Sequence, residues 1–278
     1  MEQLNTFVLR TLDSGVQPIQ TTYQPVYDMY CDKAVAFVQT ATVNSIVYGS
    51  LVNSDLAQAL ADSNLATQYF LRTLSHALGA TEVMRAAGCD ADWTSVYCPV
   101  SVLDVADIVA VLGKSVPAPK LARNVCVTFP QTLCPHVDAY RKTLSEVKSL
   151  GFRIGLCGFG NADFPVTCLS SFPFDVVFAD GLLSLYQTSG NAQAVATLAD
   201  FAMDLGADVV LTGIADDETL RKMRSCDCFG VLFDGAYSGN TPVATNGLTP
   251  PSSLFRLTER WRNVTGKTTF FGTAPFLG

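Results

Sequence analysis

The sequence predicts an α/β protein, a modified TIM-type (β/α)8 barrel that opens with an antiparallel hairpin strand. Three observations carry this expectation. Short apolar runs alternate with amphipathic stretches through short connections, the order that places parallel strands beneath covering helices. The runs 125–127 and 209–211 are apolar throughout, and 174–178 is apolar but for Asp175, as strands buried on both faces are. About seven to eight strands fall within roughly 220 residues, a spacing that suits a closed barrel better than an open sheet.

Taken in order, residues 23–29 and 33–43 alternate in the manner of strands around the polar turn Tyr30-Cys31-Asp32. Helical periodicity runs from Ser54 to Ala87 with a break near Asp62-Ser63-Asn64, where Ser63 is expected to cap the second piece. A strand at 93–98, a helix at 103–112 and a strand at 123–127 follow. The amphipathic helix 136–150 stops at Gly151, a C-cap signal. A strand at 152–157 leads into Gly158-Phe159-Gly160 and a short helical piece near 166–171. Then come strand 174–179, helix 192–205 ending at Gly206, and strand 208–211. Helix 216–224 carries Asp216, Asp217 and Glu218 in its first turn, which suits the macrodipole, and 228–233 is the last strand. No Pro- or Ser-rich linker divides the middle. The barrel is therefore expected over 1–245 and a C-terminal loop and helix packed on it over 246–278, with Arg256, Arg260 and Arg262 on that helix.

Composition narrows the function classes. At 278 residues, 49% hydrophobic and 15% charged, the chain has ample material for a core and is no disordered protein. A net charge of −7 argues against a nucleic-acid groove, which needs a basic footprint. Mean hydropathy is +0.27, yet no uncharged apolar run reaches the roughly 18 residues of a membrane span. The N-terminus lacks a signal-peptide layout, so a cytoplasmic protein is expected. The nine cysteines include no C-x-x-C, and most sit in apolar runs, where cysteine acts as a small hydrophobe. The pair Cys226-x-Cys228 has no nearby histidine, and zinc there would need remote ligands. His76 and His136 are the only histidines, which leaves catalytic triads and H-E-x-x-H zinc sites almost no material.

In such a barrel, chemistry sits where the strands end. The residues there include Val38-Gln39-Thr40, Cys98, Val127-Thr128, Cys157-Gly158, Phe178-Ala179-Asp180, Thr212-Gly213 and Asp234. Asp180 is the one carboxylate inside this set, with Asp234 at its margin. All five glutamates (Glu2, Glu82, Glu146, Glu218 and Glu259) lie at the terminus or in expected helices. Metal-assisted hydrolysis needs several converging oxygens, and glycoside cleavage needs two facing carboxylates. The Gly158-Phe159-Gly160 turn is the best phosphate cradle on offer, but Asp163 and Pro165 break the dinucleotide fingerprint.

The order of segments from about Tyr23 to Phe233 resembles the EAL family, the bacterial domain that hydrolyses cyclic di-GMP on a modified (β/α) barrel. Tyr23-Gln24-Pro25-Val26-Tyr27-Asp28 resembles its Y-Q-P-I-x-D strand, and the segment 151–160 resembles its G-x-x-x-x-x-D-D-F-G. The spacing then matches through Leu169, Pro173, Asp175 and Asp180. Leu205-Gly206, Val209-Val210, Gly213-Ile214 and Cys226-Asp227 resemble the L-G-x-x-V-V-A-E-G-V-E and G-C-D segments.

The resemblance implies which residues a working member would need, and this chain departs at each. The Glu-Ala-Leu signature is Val38-Gln39-Thr40, and the phosphate-holding arginine is Thr42. The metal-binding asparagine falls near Cys98, the next glutamate on Val127, and the aspartate pair on Cys157-Gly158. The lysine that positions water is Phe178, later glutamates are Thr212 and Ala215, and the last glutamine is Gly230 or a neighbour. No catalytic residue, no metal site and no cofactor are therefore expected. The resemblance implies first a catalytically inactive signalling or regulatory domain that acts through a protein partner, with a homodimer through Phe164, Phe172, Leu182, Leu183, Leu185 and Tyr186 as one contact. Second comes a cyclic di-GMP receptor without hydrolysis, with Gln24, Phe159, Gly160, Asp180 and Gly213 as remnant nucleotide-binding residues. Third comes a phosphodiesterase with rearranged ligands such as Asp163, Asp180, Asp216 and Asp234.

Overall fold

The protein is described here as a computed structural model covering residues 19–30, 33–45, 48–86, 89–116 and 119–234. The expectations for the N-terminus, for the Cys31-Asp32 turn tip, and for the boundary at 245 with the following helix and its Arg256, Arg260 and Arg262 lie outside the described residues.

Strands β1 (Gln20–Tyr27) and β2 (Ala34–Ser45) form the antiparallel opening pair, with Gln24 opposite Val38. Six parallel strands follow: β4 (Trp93–Tyr97), β5 (Val125–Phe129), β6 (Arg153–Leu156), β7 (Val176–Ala179), β8 (Asp208–Ile214) and β9 (Gly230–Phe233). Strand β9 pairs antiparallel with β1 at Tyr27 and Val231, which closes an eight-stranded barrel. A short strand not expected from the sequence, β3 (Gly49–Leu51), pairs with the far end of β2 outside the barrel.

Closure needs close approach. A Cβ on Gly230 would stand 2.6 Å from the Tyr27 carbonyl oxygen and 2.7 Å from a Val26 methyl, so only glycine lets β9 start against β1. Inside the barrel, Val26, Ala36, Trp93, Cys126, Val176, Phe178 and Val210 form a buried cluster of their own. Trp93 stacks on Phe229 at 5.7 Å and meets Phe178 edge-on at 5.9 Å. Its indole Nε1 has no hydrogen-bond partner among the described residues. The aromatic burial, about 4–6 kcal/mol, outweighs an orphaned donor at about 1–3 kcal/mol.

The outer core lies between strands and helices. Apart from the single turns Asn53–Leu56 and Pro119–Ala122, the described helices are α1 (Ser63–Ala86), α2 (Ile108–Ser115), α3 (Val137–Ser149), α4 (Thr167–Ser171), α5 (Leu182–Ser189), α6 (Ala192–Asp204) and α7 (Asp217–Met223). The Gly151 and Gly206 stops hold: each follows its helix with φ of 103° and 89°. Asp216 caps α7 by accepting from Thr219 N at 2.7 Å. The cap of α1 differs from the expectation. Asp62, not Ser63, accepts from the amides of Asn64 and Leu65, each at 3.0 Å, because Ser63 is already inside the first turn. The expected helix at 103–112 also starts late. A 3-10 turn, Val100–Asp104, precedes α2.

The expected dimer face is not a surface. Phe164, Phe172, Leu182 and Leu183 are buried, and Leu185 and Tyr186 are partly buried against the same core. Helix α4 packs beside α3, and α5 packs against β8 and α6, so their apolar residues are spent on the core. Among the described residues, the exposed large apolar side chains are Tyr30, Tyr48, Val166, Phe201 and Leu205.

Helix α1 docks on the outer face of β1 and β2 through a polar seam. Gln39 Nε2 donates to the Tyr23 hydroxyl and to the Thr73 carbonyl, each at 3.0 Å, and Thr21 Oγ1 lies 3.3 Å from His76 Nδ1. Burial, helped by nearby Arg72, lowers the His76 pKa from 6.5 to about 3. A histidine kept neutral in the fold but free to charge when unfolded stabilises above pH 6.5, and that contribution is lost as pH falls toward 3.

Two outcomes follow. Asp62→Ala should cost about 1 kcal/mol in urea unfolding. Between pH 6.5 and 5 the wild type should lose stability relative to His76→Gln by up to roughly 1.4 kcal/mol per pH unit, read from paired melts.

Candidate functional site

The open end of the barrel is where the parallel strands finish, with β1 contributing its opposite end. Side chains alternate between the inside and the surrounding helices. Counting from the interior residues Ala36, Trp93, Cys126, Phe178 and Val210, the inward positions nearest the mouth are Val38, Tyr97, Thr128, Asp180 and Thr212, with Cys157 after β6. Two sequence-based equivalences therefore shift. Cys98 and Val127 belong to the outer core, so the inward residues on β4 and β5 are Tyr97 and the pair Cys126 and Thr128. A strand read one residue out of phase exchanges its faces.

Asp180 is the organising side chain. Its Oδ2 accepts from the Gly158 amide at 2.6 Å and its Oδ1 from the Thr212 hydroxyl at 2.9 Å, tying the ends of β6, β7 and β8 together. The residue is exposed as a whole, yet its carboxyl is held above the usual range. Desolvation is the larger cause, opposed by the two hydrogen bonds. Gly158 has φ +92°, and a Cβ there would meet Gln131 Oε1 at 2.3 Å. Gln131, just past β5, donates to Asp163 at 3.0 Å and accepts from Asn161 at 2.9 Å, extending the polar rim across the loops after β5 and β6.

The five sequence-selected binding residues do not form one surface. Gln24 is half-buried and donates through Nε2 to the Phe233 carbonyl, bridging β1 and β9 at the mouth, beyond their single paired position. Phe159 is buried, its ring edge-on to Phe164 at 5.5 Å, so it offers no face to a base. Gly160 packs on Leu182, where a Cβ would lie 2.8 Å from the backbone nitrogen. Asp180 stands at the rim as described. Gly213 is exposed at the irregularity between Thr212 and Ile214, with φ +84°. The sequence did not single out Gln131, Asn161 or Tyr97; their signal is only position, two residues after a strand, in a loop, or at an inward strand end.

Hard cations take several oxygen ligands; among the described residues, the inward strand ends carry the Asp180 carboxylate, which is already engaged by two donors. Among the described residues no group of three His, Cys, Asp or Glu side chains could hold a metal. The thiols do not compensate. Burial pushes Cys98 and Cys157 well above the ordinary thiol range and Cys126 up to about 12, so all three keep their protons. Tyr97 is likewise raised to about 12. Asp163, Asp180, Asp216 and Asp234 are not brought together as a ligand set: Asp163 bonds Gln131, Asp180 bonds Gly158 and Thr212, and Asp216 caps α7.

The EAL domain model matches residues 12–237. The chain belongs to the EAL domain family. This is a cyclic di-GMP signalling family whose members are typically phosphodiesterases. Among solved structures, the EAL enzyme Bd1971, bound to cAMP and cyclic di-GMP, aligns with TM-score 0.73 and 14% identity over 95% of this chain and 68% of that one. The FimX EAL domain from Pseudomonas aeruginosa, bound to cyclic di-GMP, aligns with TM-score 0.67 and 11% identity over 82% and 93%. An EAL domain protein from Listeria monocytogenes EGD-e aligns with TM-score 0.64 and 16% identity over 84% and 90%. No curated protein sequence matches the chain. At these identities the likeness is one of fold.

In this EAL domain, the positions that keep the family pattern have framework roles. Asp175 accepts from the Ile154 amide at 2.7 Å and pairs with Lys148 at 2.9 Å, while Asp180 ties three strand ends. Asp180→Asn should unfold within about 0.5 kcal/mol of the wild type at pH 7, since its amide can accept from Gly158 and donate to Thr212. Asp180→Ala, leaving both donors unpaired, should lose about 1–2 kcal/mol by urea melts.

Proposed function

We propose that this EAL domain is catalytically inactive and acts as a signalling or regulatory module through contact with a protein partner. The observation that supports this most is the chemistry of the mouth. Val38, Cys157, Phe178 and Thr212 stand where the family pattern has metal-binding or water-positioning groups, and Phe178 is packed edge-on against Trp93. Replacing acids by apolar, thiol and hydroxyl groups removes ligands instead of exchanging them. It also removes mutual repulsion among carboxylates, so the fold needs no cation to neutralise its interior.

A partner contact is favoured by the end of α6, where Phe201 and the capping residue Leu205, one turn apart, are each 38% exposed and Leu198 flanks them. The homodimer face read from Phe164 to Tyr186 is set aside, because those residues serve the core. No helix among the described residues is long and apolar enough to cross a membrane.

Binding of intact cyclic di-GMP is the second reading, favoured by the likeness to the FimX EAL domain solved with that ligand. Against it stand the engaged amide of Gln24 and the buried ring of Phe159.

Incubation with cyclic di-GMP and Mn²⁺ should yield no linear dinucleotide, and Mg²⁺, Mn²⁺ or Ca²⁺ should leave the melting midpoint unmoved; turnover or a clear upward shift defeats the reading. Calorimetric titration with cyclic di-GMP should show no micromolar binding, and a micromolar Kd would move the assignment to a receptor.

A further inference from the structure

Helix α6 turns two ridges of side chains to solvent. Along one, Phe201 and Leu205 stand one turn apart and exposed. Along the other, Asp200 and Asp204 are exposed, again one turn apart. The opposite side of the helix, with Val195, Ala196, Ala199 and Ala202, is buried, so the core does not require the outer ridge to be apolar. Among the described residues, no other two exposed large apolar side chains lie one turn apart. An apolar ridge beside an acidic one fits an occupant that is apolar along one edge and basic along the next.

The chain carries such a sequence beyond its described residues. Leu254, Leu257, Trp261 and Val264 recur at the spacing of one helical face, and Arg256 and Arg260, one turn apart, fall beside that stripe. Charge is divided in the same sense. Residues 235–278 hold Arg256, Arg260, Arg262 and Lys267 against Glu259 alone, a formal charge of +3. The chain's total of −7 therefore leaves −10 on residues 1–234. The family match ends at residue 237, so the basic segment lies beyond the matched barrel.

We propose that residues 253–264 dock along α6 of the same chain, the apolar stripe on Phe201 and Leu205 and the two arginines beside Asp200 and Asp204. The apolar contact supplies most of the attraction, and the exposed ion pairs fix the register. Reach is ample. Residues 235–252 lead away from the end of β9 and can span about 60 Å when extended, while α6 packs beside α7, the helix that leads into β9. A second copy seated α6 on α6 would instead set Asp200 and Asp204 against their own counterparts, like charge against like. The segment covers the face on which a protein partner is proposed to act, so a partner there must displace it. The docking itself does not require that partner, and its test contains none, so the two readings can fail separately.

The test uses the full chain under native conditions. Trypsin should cut after Arg256, Arg260 and Arg262 slowly in the wild type and about tenfold faster or more in Phe201→Asp with Leu205→Asp, because cleavage follows the undocked population. Trp261 and the buried Trp93 are the only tryptophans. Both should resist acrylamide quenching in the wild type, and one should become accessible in that double variant. Asp200→Lys with Asp204→Lys should likewise expose one tryptophan, and adding Arg256→Glu with Arg260→Glu should shield it again. The proposal is overturned if wild-type chains are cut after Arg256, Arg260 and Arg262 before any site in residues 1–234, if the α6 variants change neither readout, or if the charge exchange fails to restore shielding. It is also overturned if protection is lost on dilution, which would place the segment on a second copy. The wild-type digestion is read without any variant, so a folding failure of one substitution leaves the test intact.

Discussion

Closure of the barrel is the constraint on which everything else depends. Strand β1 runs against its neighbours and pairs on both sides, with β2 along its whole length and with β9 at Tyr27 and Val231. Once the ring is closed, each strand residue must face either the interior or the helices. That binary choice, made by a two-residue period, decides which side chains can meet a ligand at the mouth. Gly230 permits the closure at the base, and the Gln24 amide bridges the same seam at the rim. The interior is then filled by Trp93, Phe178 and Phe229, which favour packing over polar chemistry.

The inward positions of this barrel hold a packed cluster of Val26, Ala36, Trp93, Cys126, Val176, Phe178 and Val210. Beyond it, the Asp180 carboxylate joins the ends of β6, β7 and β8. Where the sequence keeps the family pattern, the structure gives those residues structural work: Asp175 with Ile154 and Lys148, Gly160 against Leu182. Where it departs, the changed residues are mostly those that face inward near the mouth.

Much of the fold was legible because local signals and tertiary structure agree. Apolar runs became β5, β7 and β8, and glycines at 151 and 206 end α3 and α6. The misreadings share one origin, the lack of a third dimension. Val127 and Cys98 were placed at the mouth as strand-end residues and through the family resemblance, although alternation from Cys126 and Trp93 turns them outward. Phe164, Phe172, Leu182 and Leu183 read as a sticky face, whereas all four are buried in the core. Ser63 and Asp62 both carry capping side chains, and one residue of difference in helix start chose between them.

By itself, the sequence determined the order of elements, the barrel class, and the scarcity of acids at strand ends, because these depend on periodicity and residue type. Only the tertiary structure decided that Asp180 closes on Gly158 and Thr212 and that Phe159 is interior. Those facts join residues 22 to 32 positions apart, or depend on burial by remote segments. Contacts of that kind arise when strands close into a ring, and no local pattern encodes them.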